Sequence, residues 1–143
     1  MTLPAGALVV GVGAARGATY AELADTLGTV LDRAGLSRAD VAAIATLTTK
    51  RDFPAILRLA ESLDAALVAL DAAELAAVAV PHPSPAVRGR VGTPSVAEAA
   101  ALHACGAGAD LVIPKTRGAG TPSLCTIAVA RRRVGRNDST NAT

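Results

Sequence analysis

The sequence predicts an α/β fold: a mostly parallel sheet with helices on both faces and an antiparallel last strand. Three observations carry this. Five short apolar runs read as strands, and the first two, Ala7–Gly11 and Val41–Leu47, are continuous enough to read as buried rather than alternating surface strands. Segments of helical periodicity separate the first four of them, which is the pattern of a doubly covered parallel sheet. A glycine turn between the last two, Gly118–Gly120, suggests that they pair as an antiparallel hairpin.

Each element has a local reason. Ala7–Gly11 is the first strand, with Gly13 and Gly17 in the loop beyond it. Thr19 precedes Glu22 at the spacing of a capping box, and Leu23, Leu27, Val30 and Leu31 recur at helical intervals. Gly35 stops that helix, and Ser37–Asp40 reads as a short capped turn. Val41–Leu47 is the second strand. Pro54 opens the next helix, whose apolar face is Ile56, Leu57, Leu59, Ala60 and Leu63. Ala66–Leu70 is the third strand and Ala72–Ala77 a short helix. Residues 80–94, rich in Pro and Gly, are irregular. A helix runs from Ser95 to its stop at Gly106; Leu111–Pro114 and Cys125–Arg131 complete the strands. Residues 1–131 form one domain, and residues 132–143 a disordered basic and polar tail.

Composition narrows the function classes. Of 143 residues, 51% are apolar and 18% charged, so the chain can bury a core and is not a disordered protein. Tyr20 and Phe53 are its sole aromatics, too few for stacking single-stranded nucleic acid. Residues 1–114 hold 8 basic and 11 acidic side chains, whereas residues 115–143 hold 6 and 1. A basic tail on an acidic domain does not suit nucleic acid. Cys105 and Cys125 form no CxxC and share no zinc-ligand spacing with His82 or His103, so no metal and no cofactor are expected and the thiols read as buried. His103 reads as a core or half-buried residue. No apolar run approaches the roughly 20 residues of a membrane helix, and no basic segment precedes the first apolar stretch as in a signal peptide. A cytoplasmic protein with free thiols follows.

Candidate site residues come from the rule that ligands bind beyond the carboxyl ends of parallel strands. Gly11, Gly13, Arg16 and Gly17 follow the first strand, Thr48 and Lys50 the second, and Lys115 the fourth. Thr93 and Ser95 precede the helix expected to point its N-terminus at the same edge. Lys50 and Lys115 are the only lysines beside twelve arginines. Three cations, exposed backbone amides and a helix N-terminus suit an anionic ligand. The glycine pattern GxGxxxG is neither the dinucleotide fingerprint nor a P-loop. No nucleophile–base pair is evident.

Four of these segments, GVGAARGAT, LTTKRDFPAI, VGTPSVAEAAAL and LVIPKTRG, resemble in order and spacing the CobE family, equivalent to the C-terminal domain of CbiG in cobalamin biosynthesis. The resemblance covers roughly residues 6–131. It implies a three-layer α/β/α sandwich with a mixed five-stranded sheet. It also implies a precorrin or corrinoid tetrapyrrole as ligand, and the strand edge with Arg16, Lys50 and Lys115 suits the several carboxylates of such a macrocycle. Two alternatives accompany it: a hydrolase acting on the lactone of a (cobalt-)precorrin, as CbiG-type enzymes do, or a ligand-free partner of another cobalamin-pathway enzyme. Phe53 departs from the family pattern, which often has an acidic residue there.

Overall fold

A computed structural model describes residues 6–76, 96–106, 109–118 and 124–132. The strands are β1 (Leu8–Ala14), β2 (Val41–Leu47), β3 (Ala66–Leu70), β4 (Asp110–Arg117) and β5 (Cys125–Arg131). The described helices are α1 (Tyr20–Ala34), α2 (Pro54–Leu63), α3 (Ala72–Ala76) and α4 (Val96–Cys105). The strands form one five-stranded sheet in the order β3-β2-β1-β5-β4. β1 pairs parallel with β2, and β2 with β3. β5 lies antiparallel between β1 and β4, so β1 to β4 all run one way. This is the expected α/β sheet with its last strand reversed.

Local chemistry sets most boundaries as the sequence implies. Thr19 Oγ1 accepts from Glu22 N at 3.1 Å and caps α1. Gly35 closes α1 in the left-handed region at φ 70°, where a Cβ would be strained. Ser37 caps the 3-10 turn Arg38–Asp40, and Pro54 occupies the first turn of α2. α3 begins with a reciprocal box: Asp71 N donates to Glu74 Oε1 at 3.0 Å, and Glu74 N to Asp71 Oδ1 at 2.9 Å.

The two faces of the sheet are packed differently. Leu8, Val10 and Val12 of β1 face α1 and α2 and meet Leu23, Leu27, Leu31, Ile56 and Leu59. These leucines are essentially fully buried, each contributing about 1.5–3 kcal/mol. Val9 of β1 faces the other way, among Ala43, Ala45, Leu75, Ala100 and Ala101. That side is built from alanine, so α4 sits close against the strands.

Five expectations are corrected. β1 runs to Ala14, so Gly13 is a strand residue rather than loop, and Gly11 lies in mid-strand rather than at the strand's end. Gly11 is buried, and a Cβ there would overlap the backbone of α4. β4 runs from Asp110 to Arg117, so Lys115 lies within the strand, not past it; pairing to β5 continues to Arg117. Leu57 is 43% exposed, because it stands about 100° around α2 from Ile56. His103 is exposed on α4, its Nε2 4.0 Å from Glu74 Oε2 of α3; an alanine-rich helix touches the sheet along only part of its circumference at that end. Arg132, assigned to the tail, is tied to the sheet: its N donates to Ala7 O at 2.9 Å and its O accepts from Gly6 N at 3.0 Å. Residues 80–94, which include His82, residues 119 and 120 of the turn expected at Gly118–Gly120, and residues 133–143 lie outside the described residues.

Candidate ligand-binding edge

Because β1, β2 and β4 are codirectional, their carboxyl ends share one edge. At the end of β1, Ala18 N donates to Ala15 O at 3.0 Å, closing a turn with Arg16 and Gly17 at its exposed tip. Ala15 N donates to Leu124 O at 2.7 Å, anchoring the turn to the segment entering β5. At the end of β2 the 3-10 turn Thr48–Lys50 presents Thr48 and Lys50, both half-buried. Lys50 Nζ stands 4.9 Å from the centroid of the Phe53 ring, an attraction of cation for ring face. Phe53 thus gives Lys50 a fixed seat at the start of α2.

α4 brings its N-terminus to the same edge. A Cβ at Gly13, near the end of β1, would lie 4.0 Å from the Val96 side chain at the first turn of the helix. Thr93 and Ser95, just before it, lie outside the described residues. Lys115 sits further along the sheet on β4, level with Gly11 and Val12 through the β5 register rather than at the rim. From β2 to β4 there are three strand spacings, about 14 Å.

One residue the sequence did not single out stands beside this edge. Glu98, in the first turn of α4, is 0% exposed, and its Oε2 accepts from Lys115 N at 2.8 Å. Its place three residues after Ser95 is the spacing that puts a carboxylate at a helix start, but nothing in the sequence shows that β4 covers it.

A separate cavity of about 390 Å³ opens between α1 and β4, lined by Glu22, Asp25, Thr29, Arg33, Thr116 and Arg117 among others. No residue expected at the site lines it. The thiols lie on opposite faces of the sheet, Cys125 toward α1 and Cys105 toward α4. Burial pushes both above the ordinary thiol range; a hydrogen bond with Thr26 and the nearby Arg132 charge, respectively, offset part of it. Among the described residues no group of three His, Cys, Asp or Glu side chains is placed to hold a metal. None of their helices is long and apolar enough to cross a membrane.

Residues 8–130 match the family described as cobalamin synthesis G C-terminus. The chain is similar to the crystal structure of CobE, a protein from the cobalamin (vitamin B12) biosynthetic pathway, at a TM-score of 0.82 and 32% identity, over 95% of this chain and 96% of that one. Cobalamin biosynthesis protein chiG from Agrobacterium tumefaciens str. C58 matches at a TM-score of 0.65 and 29% identity, over 87% of this chain and 97% of that one. A cobalamin biosynthesis protein G homolog from Sulfolobus solfataricus shares the fold at a TM-score of 0.67 and 24% identity; 90% of this chain matches 37% of that longer one. No curated protein sequence matches the chain. With the family matched over nearly the whole sheet and a full-length structural likeness to CobE, this chain belongs to the cobalamin synthesis G C-terminal (CobE) family of cobalamin biosynthesis.

Proposed function

We propose that this protein binds a precorrin or corrinoid intermediate through its peripheral carboxylates, at the carboxyl edge of the sheet. The observation that carries the reading is the common direction of β1, β2 and β4, which supports a role for Arg16 and Lys50 at one edge, with Lys115 set back from it on β4. The backbones of Lys50, beyond β2, and Lys115, on β4, are three strand spacings apart across the sheet, about 14 Å, and one small anion does not bridge them. Cations so placed suit a broad macrocycle fringed with acetates and propionates. Charge-assisted hydrogen bonds to such carboxylates are strong and specific, and the α4 N-terminus adds favourable dipole. Valine, leucine and alanine surfaces supply the apolar contact, since aromatic rings are almost absent.

Absorbance titration with a corrin-ring precursor tests this. The wild-type protein should bind, and the Lys50→Ala/Lys115→Ala double variant should bind at least about tenfold more weakly at low salt. The difference should shrink as salt rises. The same precursor with its carboxylates esterified should bind poorly to both. Equal affinity of wild type and double variant at low salt would remove the carboxylate-edge reading.

A further inference from the structure

We propose that Glu98 is a positioning residue: it holds a bulge in β4 and through it sets where Lys115 meets a ligand carboxylate. This rests on the reading of the edge given above.

The register of β4 against β5 is the first ground. Asp110 to Arg117 spans seven steps on β4 but faces only five on β5, from Arg131 to Thr126. β4 therefore carries two extra residues. One lies between Leu111 and Ile113. The other lies between Ile113 and Thr116, where three steps oppose the two from Val129 to Ile127. An extra residue takes a backbone group out of the ladder and re-aims the neighbouring side chain. The second bulge contains Pro114 and Lys115. Proline has no N–H, so the Lys115 N–H is the one backbone donor of that pair. It is the group that Glu98 Oε2 accepts, at 2.8 Å.

The second ground is the burial of Glu98. A carboxylate taken wholly out of water is unfavourable unless hydrogen bonds satisfy it. Glu98 is 0% exposed on a helix whose neighbours Ala97, Ala99, Ala100 and Ala101 are all buried alanines. Its position in the first turn of α4 is favoured by the helix dipole, and the backbone amide of Lys115 gives it a charge-assisted partner. The turn of α4 that reaches the candidate edge thus also fixes the backbone of Lys115, set back from that edge on β4. A carboxylate side chain long enough to cross from helix to strand does this; alanine, which occupies the positions on either side of it, cannot.

Amide hydrogen exchange and ligand titration together test this. In the wild-type protein the Lys115 amide should exchange slowly although it lies on an edge strand; exchange at the unprotected rate would overturn the proposal without any variant. Glu98→Met, of similar length and without an acceptor, should accelerate exchange at Lys115 and weaken binding of the corrin-ring precursor by about tenfold, near the effect of Lys115→Ala. Adding Glu98→Met to Lys115→Ala should weaken binding no further. A purely structural staple would instead lower the unfolding midpoint equally in both backgrounds and leave affinity alone. Glu98→Gln, which keeps an acceptor oxygen, should recover most of the affinity. If Lys115→Ala weakens binding while Glu98→Met binds like wild type, the positioning role is overturned and the carboxylate-edge reading stands. If the wild type does not bind, or Lys115→Ala binds like wild type, that reading fails at Lys115 and the positioning role fails with it.

Discussion

Gly11 of β1 and Ala97 of α4 meet backbone to backbone. A Cβ on Gly11 would overlap the Ala97 carbonyl oxygen and stand 2.9 Å from Ala101 N. The glycine is what lets α4 lie against the sheet with its first turn at the carboxyl edge. Gly11→Ala should therefore destabilise the fold by about 3 kcal/mol or more, the upper range for overpacking a core. Gly13→Ala should be nearly neutral, because a Cβ there meets nothing closer than 3.9 Å. Urea denaturation of the two variants checks the contrast; equal midpoints would show that α4 shifts freely.

Both thiols are held protonated by burial. The folded state thus keeps protons that an unfolded chain releases as pH passes the free-thiol value of roughly 8.5. The sign follows from linkage: stability from this source is fully present below that pH and falls as pH rises through the elevated native values. Native protein at pH 8 should react slowly with an alkylating reagent at both Cys105 and Cys125, and denatured protein quickly. Replacing both cysteines with alanine should flatten the alkaline loss of stability between pH 8 and 10. Rapid alkylation of the native protein would contradict the burial.

The end of the domain can be located by truncation. Arg132 exchanges two backbone hydrogen bonds with Gly6 and Ala7, so a chain ending at Arg132 should unfold within about 0.5 kcal/mol of the full chain. A chain ending at Ala130 loses that pairing and should be measurably less stable. Thermal unfolding of the two truncations separates these outcomes. A large loss on removing only residues 133–143 would mean that the polar segment packs.

Thr19 and Glu22 divide their work. The hydroxyl caps α1, while the Glu22 carboxylate accepts from Leu124 N at 3.3 Å, ahead of β5. Thr19→Ala should cost about 1 kcal/mol. Glu22→Ala should leave the start of α1 capped and instead loosen the entry to β5, seen as faster amide exchange at Leu124. Loss of helix content in Glu22→Ala would show that its role is the conventional box.

What the sequence determined by itself is everything written in short-range chemistry. Thr19, Gly35, Ser37 and Pro54 act on backbone groups a few residues away, and they mark the same boundaries in the fold. The segments Val41–Leu47, Ala66–Leu70 and Cys125–Arg131, apolar but for Thr46, Thr126 and Arg131, are strands over those same residues. The family resemblance was legible for a similar reason, since it rests on contiguous segments. Only the tertiary structure decided what depends on partners distant in the chain. β5 inserts between β1 and β4, so β4 runs with β1 and Lys115 lies on an edge strand four positions from β3. Gly11 reads as the mere end of a strand until α4, more than eighty residues later, presses on it. Glu98 does not stand out in the sequence; its role appears only when β4 covers it and supplies the Lys115 amide. Periodicity and capping report the backbone's local preferences; burial and register are set by long-range packing, and the candidate edge is built from the latter.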